Sequence, residues 1–313
     1  MRSGSTRTAD SAVRRWARAA ATSWRVVADR PALWLPGALA WLCTVGWVPF
    51  VVAVVEPPTV AELTYLGSGF WTSGLWPLNA LLVAAGLVAA AVLLLAAASA
   101  GNAMLVAEAE GRTPVARDVG RFLALSLLGV MPVAICMLAI GIGTVAVGPA
   151  EFNRPEAEPG PVVRLAVRLA PLLVLAVVVA IGSSTLAGLA GRAAMRADDM
   201  SSGLAMVPRL ASRAGRVGLM HLAATIGFGL VTLVLVGLLL TVLWAPIRAT
   251  LGAGGALDLA GGLLLVGFVA IWLCLVLAGG AVHAWASVTT TYLLGDRAAS
   301  PVADRPQETL IDR

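Results

Sequence analysis

The chain has no lysine; all 22 of its basic residues are arginine. Arginine alone invites a phosphate-recognition reading, because the guanidinium fork matches phosphate oxygens. Alanine, glycine and valine are abundant along the whole length, however, so the lack of lysine reads as the codon bias of a GC-rich bacterial genome. Charge of either sign is scarce, at 12% of 313 residues, roughly half the share of a soluble domain. Cysteine is scarce too. Cys43, Cys136 and Cys274 each stand alone inside an apolar run. No CxxC pair or metal spacing exists, which excludes a disulfide framework and a zinc ribbon. They read as buried small apolar side chains. Only two histidines occur, His221 and His283, and no HExxH, GxSxG, P-loop or dinucleotide fingerprint is present. An intramembrane hydrolase needs paired acids, a histidine cluster or an activated serine, and the chain supplies none of these. No catalytic, cofactor or metal site is therefore expected.

What is abundant is apolar surface: 59% of residues are hydrophobic and the mean hydropathy is +0.89. These values point to a polytopic membrane protein rather than a soluble core. Residues 1–9 read as disordered. The stretch 10–30 reads as an amphipathic helix, with Val13, Trp16, Ala17, Ala20, Trp24 and Val27 at helical spacing. Arg14, Arg15, Arg18 and Arg25 fall largely opposite, the pattern of a helix lying in a membrane interface. The Arg14-Arg15 pair is not a twin-arginine export signal, because no small-residue cleavage site closes a short apolar region after it.

Six runs without acid or arginine follow, at 32–55, 78–107, 122–148, 169–191, 217–245 and 260–294. Each reaches the roughly 20 residues a bilayer demands. One charge at the centre of such a helix costs about 3 kcal/mol, so their exclusion from all six runs is informative. The expected fold is all-α: a six-span transmembrane bundle filling one domain over 10–295, with a disordered cytoplasmic tail over 296–313. The long sixth run invites a break at Gly279-Gly280. The arginines set the topology. Eighteen of the 22 lie in the N-terminal segment, the links after the second and fourth runs, and the tail. By the positive-inside rule both termini and those two links face the cytoplasm of a bacterial inner membrane. Phe70, Trp71 and Trp76 in the first outer link suit an aromatic belt.

The cytoplasmic segments share a grammar. Thr113-Pro114 reads as an N-cap with proline at the first helical position, followed by a Val115, Val119, Phe122 stripe. In the next link Asp198, Asp199, Ser201 and Ser202 offer caps. Leu204, Val207, Leu210 and Ala214 make the stripe there, with Arg209, Arg213 and Arg216 opposite and Pro208 expected to kink or restart the helix. The returning spans carry small or polar boxes, AAASAGNA at 96–103, GSSTLAG at 182–188 and AGGAVHA at 278–284. Small residues let helices approach closely in lipid, as at Ser184/Gly188 and Ala187/Gly191. The chain thus reads as three two-span repeats, each opening with an interfacial helix.

The exit of the fourth span, AAMRADDMSSGLAMVPRLASRAGRVGLMHL, resembles a family of six-span bacterial membrane proteins. That family includes the membrane domain fused to some glycerophosphodiester phosphodiesterases. SVTTTYLLGDR (Ser287 to Arg297) and WRVVADRPALWLPGAL are similar to the family's ending and opening. The chain departs from it where a Pro–Ala–hydrophobic–Glu is expected: Ala193-Ala194-Met195 and Asp198-Asp199 stand there. The resemblance implies a six-span membrane domain. It implies no phosphodiesterase activity, whose metal-binding residues belong to a soluble domain not in this sequence.

Polar groups inside spans are the candidate functional positions. They are Asn102, Ser183, Ser184, Thr185 and His283, each weighed against an ordinary structural bond. His221 reads as interfacial. Despite a pI near 10.0, the arginines sit at the ends of apolar runs, so anionic lipid head groups are the expected partner and nucleic acid is not. Arg209, Arg213 and Arg216 are the candidate contacts to lipid or to a separate cytoplasmic subunit. The sequence thus supports a non-enzymatic membrane subunit, scaffold or lipid-handling factor. The alternative is a transporter or the permease subunit of an ATP-driven exporter, with a membrane enzyme or its anchoring subunit third.

Overall fold

The computed structural model describes residues 4–55, 61, 65, 68, 69, 71–154, 159–252 and 259–295. Phe70 and the tail over 296–313 lie outside them. The protein is all-helical, with no strand among the described residues. Helix α1 spans Gly4–Asp29, α2 Trp34–Trp41, α3 Val48–Val54, α4 Leu78–Ala109, α5 Ala116–Phe152, α6 Pro161–Arg196, α7 Met200–Gly252 and α8 Leu259–Leu294. Helix α1 begins ahead of the expected Asp10, because neither proline nor glycine interrupts 5–30. Among the described residues, five helices are long and apolar enough to cross a membrane. Leu81, Leu87 and Leu93 stand exposed along α4, a surface that suits hydrocarbon and not water.

The first apolar run, 32–55, is not one straight helix. A 3-10 turn at Pro31–Leu33 leads into α2, a π-turn occupies Leu42–Gly46, and α3 departs at 52°. Pro49 supplies no N–H for the ladder and crowds the carbonyl four residues back, which favours a bend just ahead of it. Thr44 Oγ1 donates to the carbonyls of Ala40 and Trp41, at 2.8 and 3.0 Å, and so occupies groups the π-turn leaves short.

The described residues pack as two compact units, one drawn from the chain up to 114 together with that from 210 onward, the other from 115–209. In the first, α2, α4 and α8 meet through glycine. A side chain at Gly280 would lie 2.4 Å from Ala38 N, one at Gly37 2.2 Å from Gly280 O, and one at Gly101 2.4 Å from Pro36 O. The Trp41 ring fills the space over Gly46 and Gly279. Helix α8 therefore runs unbroken through Gly279-Gly280, contrary to the expected break, because the glycines serve contact rather than bending. Helix α7 joins through bulkier groups, with Val236, Leu240 and Ile247 packed on Ala53 and Phe268.

The second unit is the α5–α6 hairpin with the start of α7. Gly129 faces Ser183 and Ala187, and Gly191 faces the Phe122 ring. The close-packing face is therefore Ser183, Ala187 and Gly191, while Ser184 is exposed. Three local expectations are corrected. The N-cap of α5 is Val115, not Thr113, and its N–H is taken by Asp118 Oδ2 at 3.3 Å. Of the expected stripe, Phe122 is buried but Val115 is exposed. Pro208 does not interrupt α7; the break falls at Gly215 (φ 47°, ψ −134°), a region open to glycine.

Placing a methyl group at Gly280 should cost about 1–3 kcal/mol, since the clash is with backbone that cannot rotate away. The control Gly86→Ala, where nothing lies within 4 Å, should be neutral or stabilising by about 0.5–1 kcal/mol. Thermal unfolding of Gly280→Ala and Gly86→Ala in one detergent checks the contrast.

Candidate functional site

The polar side chains of the first unit gather where α1 and α4 meet α7 and α8. Helix α1 does not merely lie beside the bundle. The Trp285 indole donates to Ala20 O at 2.9 Å, and Arg15 Nη2 donates to Leu293 O at 3.2 Å. The buried face of α1 is Trp16, Ala19, Ala20, Ser23 and Val27, while Val13, Ala17 and Trp24 are exposed. This corrects the expected stripe, which grouped both sets. The apolar and small residues of α1 cover more than half its circumference, so periodicity alone does not choose the buried arc.

His221 is buried, 6% exposed. The Trp16 indole donates to its Nδ1 at 3.3 Å. An accepting Nδ1 fixes the neutral ring with its proton on Nε2. That proton faces Ala286 O and Thr290 Oγ1, each 3.1 Å away. One imidazole thus joins α1, α7 and α8.

Two sequence candidates are brought together. His283 Nε2 lies 3.1 Å from Asn102 Oδ1, and Asn102 Nδ2 donates to Ala98 O at 3.0 Å. The amide is held by its own helix on one side and by α8 on the other. Ser183, Ser184 and Thr185 belong to the other unit and bond the carbonyls of Ala180 and Ile181 within α6. Arg209 and Arg216 are exposed; the side chain of Arg213 lies outside the described residues. Gly215 departs from helical geometry just ahead of Arg216. Cys274 is exposed on α8 rather than buried. Glu108 pairs with Arg30 and Glu110 with Arg112, so neither acid is simply solvated.

Three features were not anticipated. Arg121 donates to the carbonyls of Ala194 (2.6 Å), Ala197 (2.7 Å) and Asp198. It sits at the entry of the third apolar run, a position sequence reasoning assigns to topology alone. Glu151 is 4% exposed and receives Arg164 Nε at 2.8 Å and Arg168 Nε at 2.6 Å, tying the two ends of the α5–α6 connection. The sequence signal was one of three acids in that link, followed by three of the four arginines in the alternate links. A shallow apolar cleft of about 330 Å³ lies between α3 and α7, lined by Val48, Pro49, Val52, Leu233, Leu238 and Thr241, with no charged group.

Asp199 precedes α7 and accepts from Ser202 N (2.6 Å), Ser201 Oγ (2.8 Å) and Ser202 Oγ (2.8 Å). These bonds, the Ser202 amide first, hold its carboxyl down at about 2. Comparison with known proteins returns no matching family model, no matching curated protein and no matching solved structure.

Two measurements follow from these contacts. A double-mutant cycle of Asn102→Ala and His283→Ala should give a coupling of about 0.6–1.7 kcal/mol, the range of hydrogen bonds between helices in lipid. A coupling indistinguishable from zero removes the clamp. For Asp199 the folded value lies below the unfolded one. Its contribution is fully present above about pH 4 and is lost as pH falls toward 2. Acid unfolding of wild type and Asp199→Asn should accordingly differ above that window and converge below it.

Proposed function

We propose that this protein is a non-enzymatic, six-span component of a bacterial cytoplasmic membrane, with both termini in the cytoplasm, acting as a subunit, scaffold or lipid-handling factor. The observation that carries the reading is where the intramembrane polar groups spend their bonding capacity. Asn102 and His283 bond each other, His221 bonds Trp16, and Ser183, Ser184 and Thr185 bond their own helix. Asn102, His283 and His221 tie helices together, and none of the three lines the apolar cleft. The bent first run counts as the sixth span in this reading, because the turns from Pro31 to Val54 together supply the length of a crossing. The three-repeat organisation draws support from Gly101, Gly191 and Gly280, one in each returning helix, each of which meets a neighbour closely. The likeness of 195–222 to the six-span family fits the same reading.

Arg209, Arg213 and Arg216 are its working surface, toward anionic head groups or a cytoplasmic subunit. Native mass spectrometry of protein extracted gently from its own membrane should find anionic lipid or a cytoplasmic chain retained. The Arg209→Gln, Arg213→Gln, Arg216→Gln triple variant should lose it. Equal retention by both removes this assignment, and a co-retained ATPase whose hydrolysis depends on 195–217 replaces it with the exporter permease.

A further inference from the structure

Helix α1 keeps a flank that the bundle does not use. Val13 is 47% and Trp24 52% exposed, with Ala17 between them. At 3.6 residues per turn these three fall within about 40° of one another. Arg14, Arg18 and Arg25 fall within a second arc of about 40°, roughly 100° further round, and all three are exposed. Arg15, by contrast, turns toward the bundle and bonds Leu293 O. The helix thus has three faces: one docked, one apolar and open, one cationic and open.

Two facts say what covers the open pair. Asp29 ends α1 and the next helical turn opens at Pro31, so a single residue separates the helix that carries the flank from chain built for hydrocarbon. An indole beside arginines is the chemistry of the head-group layer, where the ring meets acyl carbons and the guanidinium meets phosphate. Three cations on one arc select an anionic surface over a neutral one. We propose that α1 is a two-sided clamp, docked on α7 and α8 through Trp16, Ala20 and Val27 while its Val13–Ala17–Trp24 flank and Arg14, Arg18 and Arg25 bind anionic lipid. This rests on the membrane reading above.

The test uses the full chain in bilayer nanodiscs of phosphatidylcholine with increasing brominated phosphatidylglycerol. Subtracting the emission of Trp24→Phe isolates Trp24 from the other nine tryptophans. Its emission should be quenched, and the mole fraction for half-quenching should rise on the order of tenfold or more in the Arg14→Gln, Arg18→Gln, Arg25→Gln variant, since each arginine near an anionic leaflet is worth about a fivefold preference. Full Trp24 emission overturns the clamp and leaves the flank to a protein partner or water. Quenching that is equal with brominated phosphatidylcholine, and unchanged in the arginine variant, overturns the anionic assignment. Trp47, in the first apolar run and 45% exposed, is the internal control, read by Trp47→Phe: no quenching there fails the membrane reading itself.

Discussion

Everything in the larger unit depends on how closely α2, α4 and α8 approach. In lipid no hydrophobic effect drives helices together, so association rests on dispersion contacts, interhelical hydrogen bonds and lipid entropy. Dispersion falls steeply with distance, and a backbone reaches a neighbouring backbone only where no Cβ intervenes. Gly37, Gly101, Gly279 and Gly280 supply that contact, and the Trp41 ring fills the one gap they leave. The Asn102–His283 bond then sits beside a geometry already fixed by packing. Its length requires α4 and α8 to be near each other, and the glycines bring them near.

The docking of α1 is the second consequence. The final turns of α8 are buried almost all round, from Ala284 to Leu294. Helix α1 contributes part of that cover through Val27, which packs with Leu105, Ala284 and Val288. His221 completes the join because a neutral imidazole both accepts and donates, and so links two helices besides its own. A side chain that only donates could not take the Trp16 indole.

The sequence was most legible where the physics is local and cumulative. Apolar length and the distribution of arginine located the long helices, because each charge in hydrocarbon is costly enough to be excluded. It was least legible where two local rules compete. Pro208 and Gly279-Gly280 look like breaks, yet α7 bends at Gly215 and α8 does not bend at all. Glycine either yields or permits contact, and only the neighbour decides which. The first apolar run passes every length rule and is still bent. Asn102 and His283 were legible as polar groups, but 181 positions separate them, and nothing local pairs them. The burial of His221 was not legible, because its partner, Trp16, lies in a helix that sequence alone assigns to the membrane surface.

The arginines carry a second pattern that topology rules do not contain. Among the described residues, four helix C-termini receive a guanidinium from another element: Arg15 reaches α8 at Leu293, Arg121 reaches α6 at Ala194, Arg164 reaches α5 at Glu151, and Arg248 reaches α3 at Ala53. The last turn of a helix leaves carbonyls without partners and gathers negative partial charge. Arginine answers both at once, with several donors in a rigid fork on a long stem, where the single ammonium of lysine serves fewer acceptors at fixed angles. Arg121 meets three carbonyls in this way. In a chain without lysine, whatever its genomic cause, such caps come at no cost in sequence. An arginine at the end of an apolar run therefore has two occupations, holding a helix terminus or meeting an anionic leaflet. Arg15 and Arg14 stand next to each other in sequence, yet a rotation of about 100° along one helix turns the first toward Leu293 and the second outward.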